Sequence, residues 1–263
     1  MNESFDISAA SYDEIFTNSH IGKLQRKRVH DFLTSVFPKN ESLEILEINC
    51  GTGHDAIWLS DLGHRIIATD ISSKMIAVAN SKLSTSNNQP DFRQLDINKL
   101  EETNFNNSFD LIFSDFGGLN CLSPSELENF FKVAATKLKP NGKIIGVIMP
   151  KHCLMENLYF IIKGSFKKAF RRNTKNAIDV NLENTSVKTW YYNPKDIRKK
   201  SNSYFYINKT KPIGFLIPPS YLESFFKNKL GLLKFLNHLD SFFQHNSTIS
   251  SYSDHYVITL SKK

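Results

Sequence analysis

One stretch constrains this chain more than any other. Leu43-Glu44-Ile45-Leu46-Glu47-Ile48 reads as a short buried strand, Gly51 and Gly53 mark a turn, and a helix follows from His54 to Leu62, ended by Gly63. A second strand, Arg65 to Asp70, and a helix through Met75-Ile76-Ala77-Val78-Ala79 come directly after. Strands joined by helices over such short links pack as parallel neighbours with helices on both faces. The alternation continues with strands near Asp91-Phe92-Arg93-Gln94-Leu95 and at Phe109 to Ser114, then a helix from about Ser125 to Leu138. Pro140-Asn141-Gly142 turns the chain into a strand from Lys143 to Met149, and a helix from Ile21 to Phe37, with Pro38 just beyond it, precedes the whole series. The first half is therefore an α/β, doubly wound sheet.

After Pro150 the pattern changes. A helix is expected from Leu154 to Phe170, then a hairpin of Ala177 to Asn181 and Val187 to Tyr192 joined across Glu183-Asn184-Thr185. A β-like run at Ser203 to Ile207, a Pro218-Pro219 turn, a Phe-rich helix from near Tyr221 and a strand Tyr256 to Leu260 complete the chain. With 263 residues, 40% of them hydrophobic, one substantial core is expected. The organisation expected is 1–150 for N-terminal helices and the ligand-binding part of the sheet, 151–200 for an insertion or lid, and 201–263 completing the same sheet. No apolar run approaches the ~20 residues that cross a bilayer, and the start lacks the features of a signal peptide, so a soluble, cytoplasmic protein is expected. Cys50, Cys121 and Cys153 are far apart, with no spacing for a disulfide framework or a metal cage.

In an open parallel sheet the ligand sits where the first strand turns into its helix. Glu47 to Gly53 occupies that turn, where Gly51 and Gly53 allow positive φ and close approach of backbone to ligand. Asp70 ends the second strand, where a carboxylate accepts from both hydroxyls of a ribose. Gly51-Thr52-Gly53-His54-Asp55-Ala56 also fits the Gly-x-Gly-x-x-Ala form of a dinucleotide fingerprint. Glu47 argues against it, because a carboxylate at the strand end repels a pyrophosphate but favours a cationic ligand.

Leu46-Glu47-Ile48-Asn49-Cys50-Gly51-Thr52-Gly53 resembles motif I of the class I S-adenosylmethionine-dependent methyltransferases of small-molecule type, usually Glu-x-Gly-x-Gly-x-Gly. Asn49 replaces the first glycine, and Asn is the residue after Gly that best tolerates left-handed φ. The resemblance continues through Asp70-Ile71-Ser72 with Met75, Leu95-Asp96-Ile97 and Phe109 to Asp115, roughly Tyr12 to Met149 in all. It implies a Rossmann-like, mostly parallel seven-stranded sheet and S-adenosyl-L-methionine as cofactor. It also assigns Glu47 and the backbone of Asn49 and Gly51 to the methionine part, Asp70 to the ribose, Ile71 and Met75 to the flanks of the adenine, and Asp96 with the Ile97 amide to its amino edge. Asp115 would line the site where the methyl leaves, and Tyr12, in Ser11-Tyr12-Asp13, resembles an element that closes over the cofactor.

Absences narrow the acceptor. Enzymes acting on exocyclic base amines carry Asn/Asp-Pro-Pro-Tyr/Phe where this chain has Ser114-Asp115-Phe116-Gly117-Gly118-Leu119, and Ile217-Pro218-Pro219-Ser220-Tyr221 comes too late to serve. Cys121 has no activating neighbour and reads as buried and inert rather than as a nucleophile. His152, just beyond the fifth strand, is the candidate general base, followed by Asp115, His238 and His255. The insertion and the Phe-rich C-terminal region suit either core packing or an apolar lid. Lys163, Lys167, Lys168, Arg171, Arg172 and Lys175 follow one predicted helix and its exit, as a solvated face or as a dock for an acidic carrier protein or RNA phosphate. The formal charge of +7 is otherwise spread along the chain. The expectation is methyl transfer to a small-molecule acceptor, favouring a hydroxyl of an aromatic or lipid-like metabolite. RNA methylation is the runner-up, and a cofactor-binding module without turnover is a third reading.

Overall fold

The computed structural model describes residues 2–39, 41–83, 88–105, 108–182 and 185–263. Two helices, α1 (Asn2–Ser8) and α2 (His20–Val36), lead into β1 (Glu44–Ile48), α3 (His54–Asp61), β2 (Arg65–Asp70), α4 (Ser73–Ser81), β3 (Asp91–Gln94) and β4 (Phe109–Ser114). Next come α5 (Pro124–Lys137) and β5 (Leu138–Ile148). The second half adds α6 (Leu154–Ile162), α7 (Phe166–Ala169), β6 (Ile178–Leu182), β7 (Thr185–Thr189), α8 (Pro194–Ser201), β8 (Phe205–Ile213), α9 (Glu223–Phe226), α10 (Leu230–Phe243) and β9 (His255–Lys262).

Seven strands form one sheet in the order β3-β2-β1-β4-β5-β9-β8, and β6 pairs with β7 in a separate hairpin. The first five strands are parallel, whereas β9 runs antiparallel to both neighbours. Strand order reverses between β1 and β4, so the loops after these two strands diverge and leave a crevice. Alternating side chains feed two cores. Leu46, Ile112 and Ile144 pack with Phe130 and Phe131 of α5 on one face. Ile45, Leu111 and Ile145 pack with Val29, Phe32 and Leu33 of α2 on the other. This double burial explains why the central strands read as continuous apolar runs.

Four local expectations are corrected. The helix expected from Leu154 to Phe170 is broken into α6 and α7, because Gly164 takes φ 68° and the Ser165 amide reaches back to the Phe160 carbonyl. Pro140-Asn141-Gly142 lies within β5 as an irregularity that shifts the register between Phe109 and Leu111, with Asn141 at φ 65°. The run from Ser203 extends further, as β8. Helix α8 was not anticipated, although Pro194 opens it and the Asn193 amide donates to Asp196 Oδ2 at 2.9 Å. Glu183 and Asn184, at the expected hairpin turn, lie outside the described residues. Among the described residues, no helix is long and apolar enough to cross a membrane.

Candidate cofactor site

The turn after β1 is built from left-handed backbone, with Asn49 at φ 58°, Gly51 at 53° and Gly53 at 76°. Asn49 thus takes the conformation that the missing glycine would take. Its side chain fills space vacated on the facing loop, since a Cβ at Gly118 would come within 2.6 Å of Asn49 Cβ. Gly53 is required for packing, because a Cβ there would lie 2.5 Å from the Phe92 ring and 2.8 Å from Ala79 Cβ. Asp70 fastens the turn from β2, accepting from the Gly51 amide on Oδ2 and from the Ser72 amide on Oδ1, both at 2.9 Å. Each oxygen keeps a further lone pair. Burial pushes the Asp70 pKa up despite these bonds.

Beneath the turn lies a buried cluster of mostly acidic groups. Glu47 ends β1, Asp115 follows β4 and Asp55 lies in the first turn of α3, all three buried. Arg26 of α2 pairs with Asp55 at 3.1 Å, and His30 Nε2 meets the same carboxyl oxygen at 2.7 Å. Burial raises the Glu47 pKa well above the usual carboxylate range, and the charges of Asp55 and Asp115 add to it. Asp115 is raised for the same reasons, by burial and then by Asp55. Asp55 itself is held low, because Arg26 and the bond from His30 outweigh its burial. Among the described residues, five buried atoms here have no hydrogen-bond partner: Glu47 Oε2, Asn49 Oδ1, Asp115 Oδ2, and Arg26 Nη1 and Nε, the last in ion-pair contact with Asp55. Unpaired buried polar groups are costly and rare, and these five converge on one turn.

Above the turn is a cleft of about 210 Å³ whose walls include Tyr12, Asn49, Gly51, Asp70, Ile71, Met75 and Asp115. The structure therefore gathers seven of the sequence-predicted residues in one cavity, with Glu47 directly below them. Cys121 also lines the cleft, and burial pushes its thiol pKa up to about 12. The N-terminal segment is tied over the turn, with Thr52 Oγ1 donating to Asp13 Oδ1 at 2.6 Å and Lys82 pairing with the same carboxylate. Val180 and Val187, from the β6–β7 hairpin, close the far side.

Other predicted residues lie elsewhere. Asp96 accepts from the Asn98 amide at 2.9 Å as a helix cap, and neither it nor Ile97 lines the cleft. His152 stacks on Tyr252 with ring centroids 5.7 Å apart, outside the cleft. Burial and the neighbouring lysines Lys151 and Lys195 lower its pKa. His255, by contrast, borders a second cavity of about 320 Å³ that shares Tyr12, Phe116, Met149 and Val180 with the cleft. Its Nδ1 lies 3.2 Å from Asp254 Oδ2, and its ring meets Phe116 edge to face at 5.4 Å. Phe116 takes φ 32°, a strained value for an aromatic residue, and stands between the two cavities. The basic run is also divided. Arg172 is buried against Glu156 at 2.7 Å and Asp254 at 2.8 Å and leaves the solvated face, whereas Arg171 is partly exposed and binds Glu156 at 2.9 Å.

Residues 45–142 match the family model described as a methyltransferase domain. The matched stretch holds the motif turn and the parallel strands β1 to β4 of a sheet with Rossmann-like order. Among curated relatives, it is 31% identical over 120 residues to a malonyl-[acyl-carrier protein] O-methyltransferase of Bacillus anthracis. That match covers 44% of this chain and only 40% of the relative. Among solved structures, the PH0226 protein from Pyrococcus horikoshii OT3 superposes with a TM-score of 0.62 at 15% identity, covering 96% of this chain and 94% of that one. Magnesium protoporphyrin IX methyltransferase from Synechocystis PCC 6803, with bound SAH, gives a TM-score of 0.56 at 16% identity over 93% of this chain and 84% of that one. At these identities the structural likeness is one of fold.

Proposed function

We propose that the protein transfers a methyl group from S-adenosylmethionine to a small-molecule acceptor, with an oxygen as the receiving atom. One observation carries this reading: the unpaired buried atoms at the turn are complementary to an amino-acid zwitterion. Glu47 Oε2, Asn49 Oδ1 and Asp115 Oδ2 offer acceptors to an ammonium, and Arg26 Nη1 offers a donor to a carboxylate. Arg26 escaped the sequence reading, and its place under the turn makes it the partner of the methionine carboxylate. Asp70 holds the ribose with its remaining lone pairs, and Ile71 and Met75 flank the base. A dinucleotide would place its pyrophosphate against Glu47, Asp55 and Asp115, where like charge opposes it.

The cofactor supplies a methyl already activated on a sulfonium. The chain's own residues orient the acceptor, exclude water and remove its proton. The second cavity is the acceptor chamber, which shares Phe116 and Met149 with the cleft as a common wall. His255 takes the acceptor proton there, oriented by Asp254, in place of His152. Tyr12 and the β6–β7 hairpin form the lid. A rise of the thermal midpoint with S-adenosylmethionine and a calorimetric isotherm of one site test the reading. Binding that is unchanged in Arg26→Met would contradict the assignment of the carboxylate.

A further inference from the structure

The helices next in the chain to the cavity-wall residues Arg171, Arg172 and Tyr221 carry exposed apolar side chains. On α6 and α7, Ile162 is 83% exposed and Phe166 63%. On α10, Phe235 is 56% and Phe242 70% exposed. These elements are continuous. Tyr159 of α6 meets Phe225 of α9 at 6.3 Å, Phe160 meets Tyr221 at 6.4 Å, and Tyr159 and Leu236 pack on the same cluster of Ile21, Leu222 and Phe226. Large exposed apolar patches mark interaction surfaces.

Within these segments the charge has one sign. No acidic residue occurs between Glu156 and Asp179, or between Glu223 and Asp240. Those intervals carry Lys163, Lys167, Lys168 and Lys175, and Lys227, Lys229 and Lys234. The four bounding positions do not offset them: Glu156 and Asp240 are buried and Glu223 pairs with His20, while Asp179 is the one exposed carboxylate. Lys163, Lys167 and Lys168 are exposed and make no salt bridge among the described residues. Lys229 lies 3.4 Å from the Phe225 ring centroid, so the cation sits among the aromatics. Short amphipathic helices with protruding Phe, Ile and Leu and a rim of lysines are the chemistry of an interfacial membrane anchor. The acyl boundary of a bilayer accepts apolar tips at any spacing, and anionic headgroups beside it accept the surrounding lysines.

We propose that the face formed by α6, α7, α9 and α10 docks on an anionic lipid bilayer. Arg171, just after α7, and Tyr221, just before α9, adjoin this face and line the wall of the acceptor chamber, and the Arg171 guanidinium lies 5.4 Å from the Tyr221 ring centroid. Docking there presents the chamber to an acceptor dissolved in the membrane. That last step rests on the methyl-transfer reading, whereas docking itself does not.

Co-sedimentation with phosphatidylcholine vesicles, with and without phosphatidylglycerol, tests it on the full chain. The protein is expected to pellet with the anionic vesicles and to be released by salt. Each neutralised lysine is expected to weaken partition about fivefold, so Lys163→Gln with Lys167→Gln and Lys168→Gln costs about a hundredfold. Ile162→Ser with Phe166→Ser is expected to abolish retention even at low salt, with the thermal midpoint and S-adenosylmethionine affinity unchanged. Retention no better on anionic than on neutral vesicles, or indifferent to the lysine variant, overturns the proposal. So does lysine-dependent binding of a soluble acidic carrier protein by a chain that ignores vesicles. Vesicle binding without any binding of S-adenosylmethionine sinks the methyltransferase reading and leaves docking standing.

Discussion

Glu47→Gln replaces one oxygen by an NH₂ group at a site that is 1% exposed, and keeps the shape of the side chain. In the wild type, Glu47 Oε2 has no partner and faces a field already made negative by Asp55 and Asp115. The cofactor ammonium and sulfonium relieve that field, so the carboxylate should ionise fully only when the ligand binds. A hydrogen bond to a charged group contributes about 1.5–3 kcal/mol, against about 0.5–1.5 kcal/mol for a neutral one. Adding the misplaced amide donor brings the expected loss to about 2–3 kcal/mol, or about 30- to 150-fold in Kd. The free variant is expected to be at least as stable as the wild type, because the substitution removes a carboxyl group whose ionisation burial, and then Asp55 and Asp115, make costly. Glu47 has a folded pKa above its unfolded value. Its stabilising contribution is therefore complete below the unfolded carboxylate pKa of about 4 and is lost as pH rises through the folded value. Above about pH 4 the thermal midpoint of the ligand-free wild type should fall relative to Glu47→Gln. Wild-type affinity for S-adenosylmethionine should rise over the same range, with proton release on binding, and the variant should respond less. Calorimetry in two buffers of different ionisation enthalpy, with melting curves across pH, measures all of these quantities. An unchanged Kd with no proton release would refute the reasoning.

Arg26→Met breaks the pair with Asp55 and removes the carboxylate donor. It should cost about 3–5 kcal/mol of stability and abolish measurable cofactor binding, both read by melting with and without ligand. Asp70→Ala removes the ribose acceptors and the bonds to Gly51 and Ser72, and should weaken binding by at least about tenfold in calorimetry. Gly118→Ala should be destabilising in the wild type and relieved in combination with Asn49→Gly, a coupling that a double-mutant cycle of melting temperatures detects. His255→Ala should lower kcat about a hundredfold or more, with a changed pH profile, whereas His152→Ala should leave kcat near the wild-type value.

The sheet was legible because its signals are local: a period of two, a period of 3.6, and glycines at the turns. The left-handed Asn49 was legible for the same reason, since its φ is set by the turn and not by distant packing. Arg26 was hidden among Arg26, Lys27 and Arg28 in an amphipathic helix. Its signal was its phase, on the same stripe as Gly22, Val29 and Leu33, which places a guanidinium on the apolar face. The break at Gly164 was masked by an apolar pattern that continues across it, although Gly-Ser is itself a stop signal. Arg171 and Arg172 read as surface charge because their partners Glu156 and Asp254 are brought to them by the fold, Asp254 from 82 residues away in the case of Arg172. The choice of His255 over His152 depends on which histidine the antiparallel β9 brings beside Phe116, and no spacing in the sequence encodes that.

On the proposed reading, the turn from Glu47 to Gly53 receives a cationic amino-acid nucleoside and not a dinucleotide. Titration of the intact protein with S-adenosylmethionine, and separately with NADH, by isothermal calorimetry separates the two. One saturable site for S-adenosylmethionine is expected, with binding weakened as pH falls, and no heat from NADH beyond dilution. Saturable NADH binding that S-adenosylmethionine fails to displace would rule the reading out.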